Sequence, residues 1–372
     1  RGHFTLAVKG DIFALLSQSV PRTFSFPAVC VTFGFRQPLI LKRTPAARKE
    51  KEMLDTTHFP KAKKYWLMGK LYPWSERPLH PMVHALHYGT SVFEGIRAYG
   101  TSSGPKIFRL PEHVERFFVS ADVVKMKVPY TPEEVTAAIK QTVRENEMES
   151  CYIRPLFYYA YGNLGLIPKA SPVELVIAAW EWGSYMGETA VNGIRVYLGP
   201  WRRTHHSQVD MRAKLGGAYV QSTISGLEAR AIGADEALFL NIEGRIAEGP
   251  GENLFVVKNG VIRTNALSES ILEGITRTSI LEIARDLGIK TEIGPISTGD
   301  LTGADEAFFT GTAVEVIPII QLIDGSDRNT PRRETVIGQG KPGPVSLRLR
   351  QAYLDIVRGK NPKYEKWLSP LD

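Results

Sequence analysis

Lys214 and Glu248 are the residues whose types and surroundings most clearly indicate chemistry. Lys214 lies in the segment MRAKLGGAY (residues 211–219), and Glu248, 34 residues later, lies in IAEGPGEN (residues 246–253). A lysine can hold an aldehyde as a Schiff base, and a glutamate can keep a pyridine nitrogen protonated so that the ring accepts electrons. The pair therefore predicts pyridoxal phosphate (PLP) chemistry, with Lys214 as the attachment point.

Each of these residues also has an ordinary structural interpretation. Lysine is abundant, so a lone lysine is most often a solvated surface residue. Glu248 precedes the turn Gly249-Pro250-Gly251, so its alternative is an exposed residue of a β-hairpin. The PLP interpretation instead requires Glu248 to be buried and ionised against a pyridinium N–H, where its charge stabilises a carbanion at the substrate Cα.

A phosphate group needs hydrogen-bond donors, and two segments of small residues supply candidates. LEGITR (residues 272–277) opens a predicted helix, and a helix N-terminus with a close glycine and a hydroxyl is a ready anion site. TGTA (residues 310–313) is a second such turn after a predicted strand. Arg116, midway along another predicted helix, would approach the phosphate from the other side. Taken singly, each feature is ordinary, because most capped helices bind nothing.

Two other patterns are given structural roles. GQGKPG (residues 338–343) matches GxGxxG, but it lacks a proper preceding strand and contains a proline, which argues against a dinucleotide loop. His80, His84 and His87 are spaced so that two or three could share a helical face, without a cysteine or carboxylate partner. Packing and hydrogen bonding are the favoured roles, and no metal site is predicted.

The positive charge of the chain is concentrated near its start. The formal net charge is +7, but residues 1–52 contain nine Lys/Arg and three Asp/Glu, whereas residues 53–372 contain 37 and 36. A nearly neutral body argues against a nucleic-acid partner. Cys30 and Cys151 form neither a CxxC motif nor a disulfide framework, and no apolar run reaches the ~18 residues of a membrane span. We expect a cytoplasmic protein with no membrane partner.

Residues 1–52 also differ in composition, since they contain Ser and Pro, are poor in acidic residues and begin at Arg1. Three interpretations stay open: translated upstream sequence with Met53 as the natural start, a disordered or loosely packed extension, and an organelle transit peptide, which would make the location organellar. For the fold, residues 1–60 are set apart as an extension.

The spacing of apolar residues and turn signals predicts the elements that must position these groups. Strands are expected at 65–72 (a hairpin turning at Gly69), 95–99, 107–110, 152–161, 173–180, 193–198, 237–241, 254–257, 261–263 (after a turn at Asn259-Gly260) and 307–309. Helices are expected at 111–125, 132–146, 217–232, 276–287 and 345–358.

The segment EWGSYMG (residues 181–187) interrupts this pattern with glycines and aromatic residues, as is typical of an interdomain linker. We predict a mixed α/β (α+β) fold with a small amino-terminal domain (61–180), a linker (181–191) and a larger carboxyl-terminal domain (192–372). Hairpins are too common for a purely alternating parallel sheet.

Five motifs together resemble the branched-chain amino acid aminotransferases, which are fold-type IV (D-amino acid aminotransferase-like) PLP enzymes. The resemblance covers roughly residues 64–360. The motifs are HYGTSVFEGIR (87–97), YIRP (152–155), the Lys214 segment, AEGPGENLF (247–255) and GTAVE (311–315). Residues 1–52 match nothing in the family pattern.

The resemblance implies a role for each residue around the cofactor. Lys214 is the Schiff-base lysine and proton shuttle, Tyr219 hydrogen-bonds the phenolic oxygen, and Glu248 contacts the pyridine nitrogen. The residues implied around the phosphate and the ring are Arg116, Leu272, Gly274, Ile275, Thr276, Gly311 and Thr312.

The resemblance also implies a substrate pocket and a ping-pong reaction. Leucine, isoleucine or valine would give its amino group to PLP and leave as a 2-oxo acid, and 2-oxoglutarate would leave as L-glutamate. The backbone of Thr312 and Ala313 would bind the α-carboxylate, and Tyr88 and Arg154 the distal carboxylate of glutamate. The other implied pocket residues are Phe93, Gly95, Tyr152, Trp182 and Tyr185.

Family members are commonly homodimers or larger, so a homodimer or higher homo-oligomer is expected beside the small-molecule substrates. D-amino acid aminotransferase, (R)-amine transaminase and aminodeoxychorismate lyase share the lysine and the glutamate, and a non-catalytic PLP-binding protein is the alternative from another class. Tyr152-x-Arg154 and the pair Tyr88 and Phe93 favour the branched-chain enzyme. The CxxC redox pair of animal members is missing.

Overall fold

The computed structural model describes residues 59, 61–76, 79–183 and 192–372. Nearly all of the predicted extension lies outside the described residues. So do linker residues 184–191, which include Tyr185, and the predicted domain boundaries therefore stay predictions.

The described residues form sixteen strands and seven α-helices. The strands are β1 (Lys64–Leu67), β2 (Lys70–Pro73), β3 (Ser91–Phe93), β4 (Ile96–Thr101), β5 (Gly104–Phe108), β6 (Cys151–Tyr159), β7 (Val173–Trp180), β8 (Ile194–Arg202), β9 (Glu236–Leu240), β10 (Asn253–Lys258), β11 (Val261–Thr264), β12 (Thr291–Ile293), β13 (Glu306–Gly311), β14 (Glu315–Asp324), β15 (Arg333–Val336) and β16 (Leu368–Pro370). The helices are α1 (His84–Tyr88), α2 (Leu110–Val123), α3 (Pro132–Asn146), α4 (Tyr219–Ala231), α5 (Ile275–Asp286), α6 (Thr298–Thr302) and α7 (Pro344–Val357).

The first sheet is antiparallel and contains the amino-terminal strands together with the last strand of the chain. Its order is β16-β5-β4-β6-β7-β1-β2, and β3 pairs with β6. Helices α2 and α3 pack together on this unit, and the ring of Phe117 in α2 stacks on Phe157 of β6 at 3.9 Å between centroids. Both rings are fully buried, so this stack lies in the centre of the first core.

The second sheet mixes parallel and antiparallel pairs. Its order is β12-β11-β10-β13-β14-β8-β9, with β15 beside β14, and the parallel pairs are β11 with β12, β14 with β8, and β8 with β9. Helix α4 packs on β8 and β9, whereas α7 packs on β13 and β14. The mixed α/β fold with two sheets agrees with the predicted class.

A buried cluster connects the two sheets. Tyr99 of β4 and Phe108 of β5 pack with residues of α5, α7 and β10, among them Tyr353, and with Trp367 near the carboxyl end. This shared core fixes the edge of the first sheet relative to the second, and the candidate site lies along their junction.

Most predicted elements are present, with ends that move by a few residues. Helix α3 begins and ends at the predicted residues, and Thr131 and Glu134 form a reciprocal capping box at its start. The Asn259-Gly260 turn joins β10 to β11, and both residues have positive φ, as the short hairpin turn requires. The strands β3, β12, β14, β15 and β16 and the helices α1 and α6 are not in the prediction.

The GxGxxG match (residues 338–343) and the histidines near residue 84 have structural roles. His84 Nδ1 contacts Thr90 Oγ1 at 2.8 Å and its Nε2 contacts the Gly165 carbonyl at 3.0 Å, whereas His87 contacts the Pro81 carbonyl. At the end of GQGKPG, the first turn of α7 is capped by the carboxylate of Glu306, which accepts from the backbone N–H of residues 345 and 346. In the part of the chain that the structure describes, each helix is too short or too polar to cross a bilayer.

Candidate active site

Lys214 lies where the second half of the chain returns to the first sheet. Its backbone N–H donates to Ser120 Oγ at 2.9 Å, and its carbonyl accepts from the N–H of Phe93 at 3.1 Å. A Cβ on Gly216 would come within 2.2 Å of Ser91 Oγ, and one on Gly217 within 3.2 Å of a backbone carbonyl. The two glycines therefore permit the close backbone approach that the sequence predicted.

The Lys214 amine faces a cavity of about 690 Å³. Its Nζ donates to the hydroxyl of Tyr219 and lies 4.9 Å from the centre of the Phe93 ring. Because Tyr219 begins helix α4 and Phe93 ends β3, the amine is held between the two halves of the molecule. Lys214 and Tyr219 are thus adjacent, as predicted.

Glu248 is buried, with 3% of its surface exposed, and therefore is not the exposed hairpin residue of the ordinary interpretation. Its carboxylate accepts three hydrogen bonds, from Arg203 Nε at 2.9 Å, from Asn253 Nδ2 at 3.0 Å and from the N–H of Leu272 at 3.1 Å, and Arg203 Nη2 lies 2.8 Å away in an ion pair. Burial raises the pKa of Glu248, and the guanidinium of Arg203 opposes that rise. The arrangement provides a fixed, buried carboxyl group at one end of the cavity.

Arg203 was missed by sequence reasoning. It follows β8 in PWRRTHH (residues 200–206), is 5% exposed and lies 45 residues before its partner Glu248. No local motif marks this distant pairing.

The predicted phosphate donors line the same cavity. Helix α5 begins at Ile275 after Gly274, and a glycine has no side chain with which to cap the first N–H groups. A Cβ on Gly274 would come within 1.9 Å of Asn253 Oδ1, so a side chain does not fit there. Arg116 from α2 also lines the cavity and donates to the carbonyl of Glu273, directly before Gly274. An uncapped helix N-terminus beside an arginine fits a phosphate group.

The implied substrate residues line the same cavity. Tyr152 packs edge-on against Trp182 at 4.5 Å between ring centres, and a Cβ on Gly95 would come within 2.1 Å of the Tyr152 hydroxyl. Arg154 lies 4.5 Å from the centre of the Phe93 ring and donates through Nη2 to the Tyr152 hydroxyl at 3.1 Å. The remaining predicted residues at the cavity are Leu272, Thr276, Gly311, Thr312 and Ala313.

Two buried polar atoms of the lining have no hydrogen-bond partner among the described residues. They are Arg154 Nε and Thr310 Oγ1. Buried polar groups are almost always satisfied in native proteins, so unpaired ones at a cavity wall fit a polar ligand. This observation agrees with a cavity built for a phosphorylated cofactor and a carboxylate substrate.

Tyr88 lies away from these residues. It ends α1, is 44% exposed and donates through its hydroxyl to the carbonyl of Leu164 at 2.9 Å. Within one chain it is not among the residues lining the cavity. Its substrate role, and that of Tyr185, stay predictions.

Two further acidic residues line the cavity without having been predicted. Glu236 of β9 and Glu252, in the turn before β10, are 6% and 7% exposed. Burial, followed by repulsion from Glu236, raises the pKa of Glu252 to about 8. The cavity thus contains a carboxyl group that stays protonated near neutral pH.

A family model and several known proteins match this chain. Residues 91–322 match the family described as amino-transferase class IV. The branched-chain-amino-acid aminotransferase of Pseudomonas aeruginosa (strain PAO1) is 44% identical over 304 residues, which cover 81% of this chain and 95% of that protein. The enzyme of the same name from Escherichia coli (strain K12) is 38% identical and covers 84% of this chain and 98% of its own length.

Solved structures of known proteins also match this chain. The branched-chain aminotransferase from the archaeon Thermoproteus uzoniensis, solved with norvaline, has a TM-score of 0.77 at 40% identity, covering 84% of this chain and 100% of its own. The Escherichia coli branched-chain aminotransferase structure has a TM-score of 0.78 at 37% identity and the same coverage. The fold-type IV architecture is thereby confirmed, and the chain belongs to the class IV aminotransferase family.

Proposed function

We propose that this protein is a PLP-dependent branched-chain amino acid aminotransferase. It transfers the amino group of L-leucine, L-isoleucine or L-valine to 2-oxoglutarate, reversibly and by a ping-pong mechanism, and releases a 2-oxo acid and L-glutamate. The observation that carries this proposal is one cavity that contains the amine of Lys214, the buried carboxyl of Glu248 and the uncapped start of α5. The named relatives support the choice of reaction.

The residues of the cavity suit each part of the cofactor. When bound, PLP supplies an aldehyde and an electron-accepting ring. Lys214 would hold the aldehyde and would move a proton to and from the substrate Cα through its Nζ. Glu248 would contact the ring nitrogen, and Arg116 and the first turn of α5 would hold the phosphate. Solved branched-chain aminotransferases include one with pyridoxamine 5'-phosphate and one in a PLP form.

The carboxyl of Glu248 is held ready for this role. Three hydrogen bonds and the ion pair with Arg203 hold its two oxygens, so they need not reorient during the reaction. Arg203 supplies a positive charge that favours the ionised carboxylate despite burial. A negative group at this position would keep the ring nitrogen of the cofactor protonated.

The substrate end suits two different side chains. Phe93, Tyr152 and Trp182 form an aromatic wall for a branched aliphatic group. Arg154 lies beside the Phe93 ring with an unpaired Nε, so it can bind the second carboxylate of glutamate without displacing the apolar wall. The turn containing Thr312 and Ala313 offers backbone donors for the α-carboxylate, which all the substrates share.

A homodimer or higher homo-oligomer belongs to this proposal. Several large apolar side chains between residues 86 and 167 are exposed in a single chain. Their exposed fractions are 76% for Leu166, 66% for Ile167, 62% for Leu86 and 57% for Tyr161. Large apolar side chains with this much exposed surface support association. Sedimentation would test it, since a monomer at assay concentration contradicts the proposal. The cytoplasmic location stays a prediction.

The test of the function is a spectrum followed by an assay. The purified protein should absorb between about 330 and 430 nm, with changes when leucine and then 2-oxoglutarate are added. Borohydride reduction and peptide mapping should place the label on Lys214. Activity with leucine, isoleucine and valine is compared with activity with D-alanine, each with 2-oxoglutarate. Inactivity towards all three L-substrates, or a label elsewhere, overturns the proposal.

A further inference from the structure

Arg116 is held by a buried carboxylate to which the proposed reaction gives no role. Its Nε and Nη2 donate to the two oxygens of Glu94 at 2.7 and 2.8 Å, and its Nη1 donates to the carbonyl of Glu273 at 2.7 Å. A guanidinium has five N–H donors, and these contacts occupy three of them. One N–H on each terminal nitrogen remains, and the side chain lines the cavity.

Glu94 is in turn fixed by the residues around it. It is fully buried, and its Oε2 accepts from His113 Nδ1 at 2.8 Å and from the N–H of Gly95 at 3.3 Å. Burial acts to raise the pKa of Glu94, but Arg116 and His113 outweigh it and lower that pKa. Burial lowers the pKa of His113, so its ring is neutral and donates through Nδ1.

This chain of contacts determines where the remaining donors of Arg116 point. A forked contact between a guanidinium and a carboxylate is planar and fixes the orientation of both groups. Without it, an arginine side chain rotates about several bonds. The carbonyl of Glu273, directly before Gly274, places the same guanidinium beside the start of α5.

We propose that Glu94, supported by His113, is a positioning residue that directs Arg116 towards the phosphate of the cofactor. The inference rests on the proposed function. Glu94 has two opposing effects on phosphate binding. Its negative charge weakens the attraction of Arg116 for an anion, whereas its paired contact with the guanidinium fixes the direction of the remaining N–H donors. Hydrogen bonds weaken steeply with misalignment, so the loss of direction outweighs the gain in charge.

The test compares PLP with pyridoxal, which has the same ring and aldehyde but no phosphate. Dissociation constants of both are measured on the apoprotein by absorbance titration, and their ratio reports the phosphate contribution alone. Glu94→Gln removes the charge, and Glu94→Asp keeps it but draws the carboxylate back. Each should reduce the preference for PLP about tenfold, with little change in pyridoxal affinity. An unchanged or increased preference in either variant overturns the proposal.

Two controls separate this effect from general damage. Arg116→Gln gives the preference that remains without the guanidinium, and the Glu94 variants should fall between it and the unchanged protein. Glu115→Gln changes an exposed residue next to Arg116 in the sequence and should leave the preference unchanged. A misfolded variant would lose affinity for both ligands, whereas the proposal requires loss for PLP alone.

His113 keeps the proposal testable if neither Glu94 variant folds. His113→Asn retains an N–H donor near the position of Nδ1, whereas His113→Leu removes it. The leucine variant should lose about threefold in PLP preference and the asparagine variant much less. Equal preferences in the two variants overturn the supporting role. Failure of the proposed function itself would appear differently, as an unchanged protein that does not prefer PLP over pyridoxal.

Discussion

The two ends of the active-site cavity are built differently. At the cofactor end, Glu248 accepts three hydrogen bonds and forms an ion pair with Arg203, and Arg116 donates three hydrogen bonds, so the charged groups are held from several directions. At the substrate end, Arg154 donates to the Tyr152 hydroxyl and keeps a buried Nε without a partner among the described residues.

The difference between the two ends corresponds to how long the cofactor and the substrate each stay bound. A cofactor that remains bound through many cycles benefits from groups that are already oriented, because no reorganisation is then needed during the reaction. A pocket that accepts an aliphatic and an acidic side chain in turn must leave donors free when the aliphatic one is bound. Each prediction below tests one end of the cavity against the other.

The largest effect is expected at Lys214, which lies between the two ends. Lys214→Ala removes the amine that holds the cofactor and moves the proton, so transamination should fall at least about 10⁴-fold. Borohydride should then leave no label on the protein, because the attachment point is gone. Lys290→Ala, at a side chain that is 71% exposed, serves as the control and should retain full activity. Retained turnover in the Lys214 variant would refute the assignment.

A smaller loss is expected at Glu248, in the cofactor end. Glu248→Gln keeps the size of the side chain but removes the negative charge opposite the ring nitrogen, and kcat should fall about 10²-fold for leucine and for 2-oxoglutarate alike. Equal losses in both half-reactions are required, because this group contacts neither substrate. Single-turnover absorbance measures each half-reaction. A loss confined to one of them would contradict the role.

The sequence identifies those functional residues whose contacts in space are also close in the sequence. Adjacent residues mark three of these positions: Lys214 lies beside two glycines, Glu248 precedes a turn and Gly274 precedes a helix. Arg203 and Glu94 have no such local signal, because they act on residues 45 and 22 positions away and depend on how the sheets pack. Their roles follow from tertiary contacts that no spacing rule encodes.

The strand β14 shows the same limit at the level of the fold. It contains a proline, Pro318, and a nearly continuous apolar run instead of the alternation that indicates a half-buried strand. The structure pairs it in parallel with β8 and buries most of it, which explains the continuous pattern. The apolar run from 316 to 320 was the available signal.

A selective loss is expected at Arg154, in the substrate end. Arg154→Ala should reduce kcat/KM of the 2-oxoglutarate half-reaction about 10²-fold and that of the leucine half-reaction only about threefold, since a second carboxylate is present in glutamate and absent from leucine. Arg154→Lys retains the charge without the flat guanidinium and should give an intermediate value. Equal losses in the two half-reactions would count against the different design of the two ends.

The smallest expected effect concerns the pH dependence of stability at Glu252. Burial and then Glu236 raise the pKa of Glu252 from 4.5 to about 8 in the folded protein. As pH rises from about 4.5 to about 8, the unfolded chain releases this proton while the folded chain keeps it, so the free energy of unfolding falls over that window.

Glu252→Gln resembles the protonated side chain at every pH and removes this contribution. The variant should therefore lose less thermal stability than the unchanged protein when the pH rises from about 5 to about 8. Calorimetry on the apoprotein measures this loss. Glu115→Gln, at an exposed residue, provides the matched control and should follow the unchanged protein. Identical pH profiles for the Glu252 variant and the unchanged protein would show that this carboxyl is ionised at neutral pH. The cofactor end would then hold another negative charge close to Glu248, and the dense pairing described for that end would be incomplete.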